Sequence, residues 1–378
     1  AQCLVGSEMC IRDSDCSLQR RNQKVVEETP APDLPEAVRR QLWAAAESLG
    51  RSVGYRSAGT GEFIYDSEKQ AFYFLEVNTR LQVEHAITES VTGIDLVEWM
   101  ILTAAGKPPS LDRLIAPIGA SIEVRIYAEN PLRNFTPSPG TLTEVYFPPN
   151  ARIDTWVETG TEVSAHYDPM IAKLIVHGKD RVAAIAAMSR ALSETRLAGI
   201  STNLDYLRQV VASAGFAAGE VSTRYLDSFN YRPSVVEIID GGTYTTVQDY
   251  PGRVGYWDIG VPPSGPMDDW AFRLANRIVG NHPQAAGIET TVLGPTLRFH
   301  CDTVIALTGA PTKADLDGVA VDFWKPIDVR AGQILRIGKA ISGCRSYLAV
   351  RNGFDLPLYL GSRATFALGQ FGGHAGRT

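Results

Sequence analysis

The period of the hydrophobic positions changes several times along the chain, and each change marks an element. Val38, Leu42, Ala45, Ala46 and Leu49 recur at helical spacing, which predicts an amphipathic helix over Pro35–Leu49 with Gly50 as its stop. Gly61–Asp66 and Ala71–Val77 predict two strands around the polar turn Ser67-Glu-Lys-Gln70. A helix over Thr88–Ala105 is expected, interrupted by Gly93. Thr136-Pro-Ser-Pro-Gly140 is punctuation, and short alternating strands follow to about Glu158. Asp180 suits the cap of a helix through Leu192, apolar at Val182, Ile185, Ala186 and Met188, and Ser201 the cap of another through Val211.

From Tyr231-Arg-Pro233 the texture changes. Short strands follow one another, broken by Gly241-Gly242, Pro251-Gly252, Pro262-Pro263 and Gly294-Pro295, with one helix over Asp268–Val279. This predicts a mostly β domain from about residue 234 behind a mixed one, an α+β multidomain chain. The first fourteen residues carry neither period nor the marks of a signal peptide, and are read as a non-native leader. The end, Phe371-Gly-Gly-His-Ala-Gly-Arg-Thr378, is turn chemistry, so the chain reads as an internal piece of something longer.

Composition narrows the classes. The 378 residues, 44% hydrophobic and 21% charged, suit two or three globular domains. Thirty-six Lys and Arg against 42 Asp and Glu leave a net charge of −6, which argues against a nucleic-acid-coating protein. No apolar run reaches the roughly 18 residues of a membrane span. Cys3, Cys10, Cys16, Cys301 and Cys344 contain no CxxC pair, which fits a reducing cytoplasm. The six histidines show no HxH or HxxxH spacing, against a zinc site. His85 adjoins the chemistry described next. Asp168, after His166, either orients a cation or sits in the turn before Pro169.

The sharpest chemistry lies in Leu75-Glu-Val-Asn-Thr-Arg-Leu-Gln-Val-Glu-His85. If the strand stays regular, alternation puts Glu76, Asn78, Arg80, Gln82 and Glu84 on one face and apolar residues on the other. A hairpin turning about Lys69 places Glu62 opposite Glu76. Like charges across a strand pair repel. Two facing carboxylates with an Asn make sense as hard oxygen ligands for Mg²⁺, completed by phosphate oxygens and water. Arg80 then suits an oxyanion, Gln82 both donates and accepts, and Glu84 is a candidate general base.

Together with Asp15-Cys-Ser-Leu-Gln-Arg-Arg-Asn-Gln-Lys-Val-Val-Glu-Glu28, Gly59-Thr-Gly-Glu-Phe63 and Glu123-Val-Arg-Ile-Tyr-Ala-Glu-Asn-Pro131, this segment resembles the biotin carboxylase family, of ATP-grasp fold, over roughly residues 15–232. The resemblance implies the C-terminal part of an ATP-grasp domain over 15–111 and a biotin carboxylase C-terminal domain over 112–233. It implies metal binding (Mg²⁺ or Mn²⁺) by Glu62, Glu76 and Asn78. It places Lys24, Arg80, Gln82 and Glu84 around bicarbonate, with Glu84 as base, and Arg125 near the biotin ureido oxygen. ATP and bicarbonate would give carboxyphosphate, which delivers CO₂ to biotin held on a carrier domain absent from this chain. The family's glycine-rich lid and phosphate-binding lysines precede the matching region, so the piece alone is expected to be inactive.

Gly241-Gly-Thr-Tyr-Thr-Thr-Val-Gln-Asp-Tyr-Pro-Gly252, Gly255-Tyr-Trp-Asp-Ile-Gly-Val-Pro-Pro-Ser-Gly-Pro-Met-Asp268 and Arg273-Leu-Ala-Asn-Arg-Ile-Val-Gly-Asn281 resemble the carboxyltransferase domain of the urea carboxylase family, akin to allophanate hydrolase subunit 2. The likeness covers that domain's N-terminal portion, residues 234–378, and implies truncated cyclophilin-like β-barrel subdomains. Biotin-dependent carboxylation of urea to allophanate is the activity implied. Another amide or guanidine-like acceptor, or a non-catalytic partner-binding role, is the alternative. Gln248, Asp249, Ser264, Asp268 and Asn276 are polar candidates for urea. Turn chemistry accounts equally for Ser264, and a helix cap for Asp268. Expected partners are urea, bicarbonate, a biotin carboxyl carrier domain and a second copy through the biotin carboxylase part, with neither nucleic acid nor membrane.

Overall fold

The structure, a computed structural model, describes residues 2–4, 9–109, 117–374 and 376–378. It divides into two units, Ala1–Tyr231 and Arg232–Thr378. The boundary expected at 111/112 lies outside the described residues.

Two antiparallel sheets organise the first unit. Strands β1 (Gln2–Leu4), β2 (Met9–Arg12), β5 (Ala58–Asp66) and β6 (Ala71–Asn78) form one, in the order β2-β1-β5-β6. Part of the segment read as a patternless leader is thus paired, with Leu4 opposite Ala58. The second sheet contains β3 (Asp15–Arg20), β4 (Gln23–Thr29), β7 (Ala120–Tyr127), β8 (Arg152–Thr155) and β9 (Met170–Gly178), in the order β8-β9-β7-β4-β3.

Register partners share a face, so this second sheet has two different surfaces. Val26, Val124 and Leu174 line up on one, as do Ile122 and Val176. Helix α4 (Arg181–Glu194) lays Ala184, Met188, Ala191 and Leu192 into that apolar cluster. Glu27, Glu123 and Ile175 line up on the other surface, beside Arg125 and Lys173. Helix α2 (His85–Thr92) covers it, with Ala86 and Ile87 packed on Ile175. The turn from β9 into α4 is tight: a side-chain carbon at Gly178 would stand 2.4 Å from the Ala184 nitrogen.

Helix ends depart from the sequence reading in three places. Helix α1 (Glu36–Ser52) runs through Gly50, and the left-handed conformation that leads the chain away is taken by Gly54 instead. A glycine inside a helix is tolerated at a cost of about 1 kcal/mol. The expected Thr88–Ala105 helix is two helices. Gly93, left-handed at φ 70°, ends α2, and Asp95 caps α3 (Leu96–Ala104) by accepting from the Glu98 amide at 2.8 Å. The helix assigned to Ser201 is Leu204–Val211, with Asn203 at its cap position. The Asn203 side chain is engaged elsewhere, accepting from the Tyr127 amide and donating to the Arg125 carbonyl, which ties this helix to β7.

The second unit is two five-stranded antiparallel sheets. One orders Val236–Asp240, Thr296–Phe299, Ile334–Arg336, Asp315–Leu316 and Val319–Ala320. The other orders Thr245–Gln248, Gly287–Thr291, Arg345–Val350, Thr303–Gly309 and Ile327–Val329. Leu297, Phe299 and Leu335 from the first meet Ile288, Ile305, Leu307 and Leu348 from the second in a shared core. The barrel subdomains implied by the resemblance take the form of open sheets; neither strand order closes on itself among the described residues. Helix Asp269–Ile278, capped by Asp268, packs Ala275 against Val304, Ala306 and Ala349.

Capping provides a direct check. Asp180 accepts from the Ala183 amide at 2.8 Å, whereas Ser201 precedes its helix without capping it. Asp180→Ala should destabilise the first unit by about 1 kcal/mol. Ser201→Ala should stay within about 0.5 kcal/mol of the parent. Thermal or urea denaturation of the two variants tests both.

Candidate active site

The β5–β6 hairpin brings Glu62 opposite Glu76, by a different route from the expected one. Asp66 pairs with Ala71, so the turn is the four residues Ser67–Gln70, and Phe63 pairs with Phe74. The extra residue is Leu75, a bulge that shifts the register by one and aligns the two glutamates. Asn78 then donates to an oxygen of each, at 3.2 Å in both cases.

β6 ends at Asn78, so the condition of a strand staying regular to Glu84 is not met. The backbone turns over residues 79–84, and Glu84 occupies the cap position of α2. This changes which side chains converge. Gln82 and Glu84 turn inward and are buried. Arg80, expected on the same face, stays exposed, its guanidinium 3.4 Å from the Leu81 carbonyl.

Glu84 is the centre of the cluster, with 3% of its surface exposed. Its Oε1 accepts from Lys24 Nζ at 2.6 Å and its Oε2 from Arg125 at 3.0 Å. Lys24 reaches on to Glu62 at 3.1 Å and to the Gln82 oxygen at 3.4 Å. Gln82 donates to Glu62 at 3.0 Å. Burial disfavours the Lys24 ammonium, yet Glu84 and Glu62 hold its pKa above the ordinary lysine value. Burial also opposes ionisation of Glu62, but Gln82 and Lys24 outweigh it and hold the carboxyl below its usual value.

Glu62, Glu76 and Asn78 supply carboxylate and amide oxygens only, a donor set suited to Mg²⁺ or Mn²⁺. Among the described residues no three His, Cys, Asp or Glu side chains converge as a metal cage. Substrate oxygens or water would therefore have to complete the coordination.

Two buried carboxylates beneath α2 escaped the sequence reading. Glu27 and Glu123 face each other in register, both fully buried, without a well-directed protein hydrogen bond to their oxygens. Arg125 pairs with Glu27 as well as Glu84. Burial, against the pull of Arg125, pushes Glu27 up to about 7. Burial and the nearby Glu27 carry Glu123 well above its ordinary value. The legible signals were the acidic pair Glu27-Glu28 in an apolar strand and the alternation Glu123-Val-Arg125. Cys16 also adjoins the centre, its sulfur 3.9 Å from Glu84, and burial holds its thiol protonated. Asp168 accepts from the Met170 amide, which is the turn role considered for it.

Of the five urea candidates of the second unit, Asp249, Asp268 and Asn276 are engaged within the fold, whereas the Gln248 Oε1 is buried without a partner among the described residues. Gln248 donates to Thr246, and Asp249 accepts from Ser362 and the Arg363 amide. Asp268 caps its helix, and Asn276 donates to the Ala285 carbonyl and accepts from Asn281. Ser264 adopts a left-handed backbone conformation at φ 55°. No hydrogen bond joins any two of these five among the described residues. Glu289 gathers more: it accepts from the Met267 amide at 2.7 Å and from the Tyr347 hydroxyl at 2.9 Å.

Comparison with known proteins bears on all three regions. Residues 5–112 match the family described as carbamoyl-phosphate synthase L chain, ATP binding domain. Residues 123–228 match the biotin carboxylase C-terminal domain, and 259–378 the carboxyltransferase domain, subdomain A and B. The urea amidolyase of Saccharomyces cerevisiae is 57% identical over 98% of this chain, which spans 20% of that protein. The crystal structure of Kluyveromyces lactis urea carboxylase is 56% identical and superposes with a TM-score of 0.94, covering 98% of this chain and 33% of that one. The biotin carboxylase domain dimer of Hydrogenobacter thermophilus 2-oxoglutarate carboxylase, in complex with MgADP, ADP and bicarbonate, is 39% identical with a TM-score of 0.57, covering 59% of this chain and 51% of that one.

The raised pKa of Glu27 makes stability depend on pH. Its folded value, about 7, exceeds the ordinary 4.5, so the folded state binds the proton more tightly. Its contribution is present below pH 4.5 and is lost as pH rises through 7. The limiting slope is about 1.4 kcal/mol per pH unit. Glu27→Gln should flatten the fall over that window relative to the parent. Denaturant midpoints measured at half-unit pH steps check this, and parallel curves would refute it.

Proposed function

Starting from a chain homologous to urea carboxylases along 98% of its length and spanning a fifth of the urea amidolyase it matches, we propose that it forms the bicarbonate and metal side of a biotin-dependent urea carboxylase, joined to the first part of its carboxyltransferase domain. The reaction is ATP-driven carboxylation of biotin by bicarbonate, followed by transfer of the carboxyl group to urea, giving allophanate. The observation that carries the reading is the clasp on Glu84 by Lys24 and Arg125, beside the Glu62, Glu76 and Asn78 oxygen set.

Each residue has a chemical task. Bicarbonate must give up a proton as it attacks phosphorus, and Glu84 is the carboxylate placed to take it. Lys24 and Gln82 stand on the same side of Glu84 and bind the anion's oxygens. Arg80, exposed and without a carboxylate partner among the described residues, is available to an incoming anion. Glu62, Glu76 and Asn78 would hold Mg²⁺, which when bound neutralises phosphate charge. Arg125 stabilises negative charge developing on the biotin ureido oxygen. Urea as acceptor rests on the homology of the second unit, and the biotin is expected on a carrier domain that docks here. The related carboxylase domain crystallised as a dimer with MgADP and bicarbonate supports the same ligands and a second copy as partner.

In a full-length urea carboxylase carrying this segment, Glu84→Gln should lower bicarbonate-dependent ATP cleavage by about 10²- to 10⁴-fold with the fold retained by circular dichroism. Near-normal turnover would place the base elsewhere. The same enzyme should carboxylate urea and ignore acetyl-CoA and propionyl-CoA in steady-state assays. Preference for either thioester would overturn the choice of acceptor.

A further inference from the structure

Lys173 stands on the charged surface of the second sheet, in β9, with 7% of its surface exposed. Its ammonium donates to the Val83 carbonyl oxygen at 2.6 Å, across 90 positions of sequence. It lies farther from its two acidic neighbours, 3.2 Å from Asp154 and 3.6 Å from Glu123. Asp154 already accepts from Arg152 through both of its oxygens. The shortest contact of this buried cation is therefore with a backbone carbonyl, one residue before Glu84.

That carbonyl lies where the chain changes direction. Residues 79–84 leave β6, and α2 starts at His85, with the Ile87 amide bonded to the Glu84 carbonyl. The position of Val83 sets where the Glu84 backbone begins, and so whether its carboxylate meets Lys24 and Arg125 together. We propose that Lys173 is a positioning residue for the reaction at Glu84: by pinning the Val83 carbonyl it fixes the loop that presents the base. This rests on the reading of Glu84 given above. A purely structural alternative is that Lys173 only neutralises the buried Glu123.

Two variants in a full-length urea carboxylase carrying this segment separate the possibilities. Lys173→Met removes the donor and leaves Glu123 without its cation. Adding Glu123→Gln removes that stranded charge but does not restore the bond to Val83. Amide hydrogen exchange over residues 83–87 should accelerate about 10-fold in both, the effect of losing one charge-assisted hydrogen bond. The kcat for bicarbonate-dependent ATP cleavage should fall about 10- to 100-fold in both, with KM for ATP unchanged. Lys173→Arg, which keeps a donor, should recover most of the rate. Unchanged exchange over 83–87, or a double variant restored to the parental kcat, would overturn the proposal. If Glu84→Gln in the same enzyme leaves the rate intact while exchange in Lys173→Met accelerates, the fault lies in the assignment of the base, and the positioning role falls with it.

Discussion

The first unit is arranged around one carboxylate held between two cations. Glu84 is buried, and an isolated buried charge is costly enough that it would ordinarily be neutralised. Lys24 and Arg125 come from different strands, β4 and β7, and each takes one oxygen. Because both oxygens are engaged, the carboxylate plane is fixed as well as its position. The geometry is useful chemically for the same reason that it is tolerated energetically. The group is held at the start of α2 by two cations, and an incoming oxyanion would seek the same cations.

Charge balance around this centre is incomplete, and the shortfall falls on the sheet surface beneath α2. Lys24 serves Glu84 and Glu62, Arg125 serves Glu84 and Glu27, and Lys173 serves Asp154 and Glu123. The carboxylates outnumber these cations, and the two that face each other in register, Glu27 and Glu123, are the most deeply buried. Like charges so placed do not both ionise readily, so protonation there relieves the excess. Glu84 and Glu62 keep directed hydrogen bonds from Lys24, Arg125 and Gln82.

Much of this was legible along the chain. The residue types in Glu76–Glu84 pointed to the chemistry, and alternation within β5 and β6 paired Glu62 with Glu76. The bulge at Leu75 was not legible, because a two-residue pairing and a one-residue slip differ only in how the turn closes. The hairpin centre assumed from sequence happened to compensate for the missing bulge. The exit of the chain from β6 at Asn78 was also hidden, and it explains why Arg80 stands apart from Gln82 and Glu84. Lys173 carries no motif of its own, and the motif that opens at Glu123 assigns that residue no role. Their roles come from strand neighbours many residues away, a relation that register creates and local pattern does not contain. Ser201 failed as a cap for the same kind of reason: the neighbouring Asn203 is tied to β7, and the helix starts where that tie allows.

The two surfaces of the second sheet have a consequence for inheritance. In β7, Ile122, Val124 and Ile126 belong to the apolar cluster that α4 covers, while Glu123, Arg125 and Tyr127 face the opposite surface, Tyr127 reaching the Lys24 carbonyl at 3.1 Å. Neighbours in the chain thus answer to different selections, one for volume and one for charge. A lineage can exchange one aliphatic residue for another along every second position while its chemistry stays the same. It can equally change its chemistry at the intervening positions while its interior stays filled. A sheet built this way lets catalytic novelty and structural drift proceed along one strand as two nearly separate records.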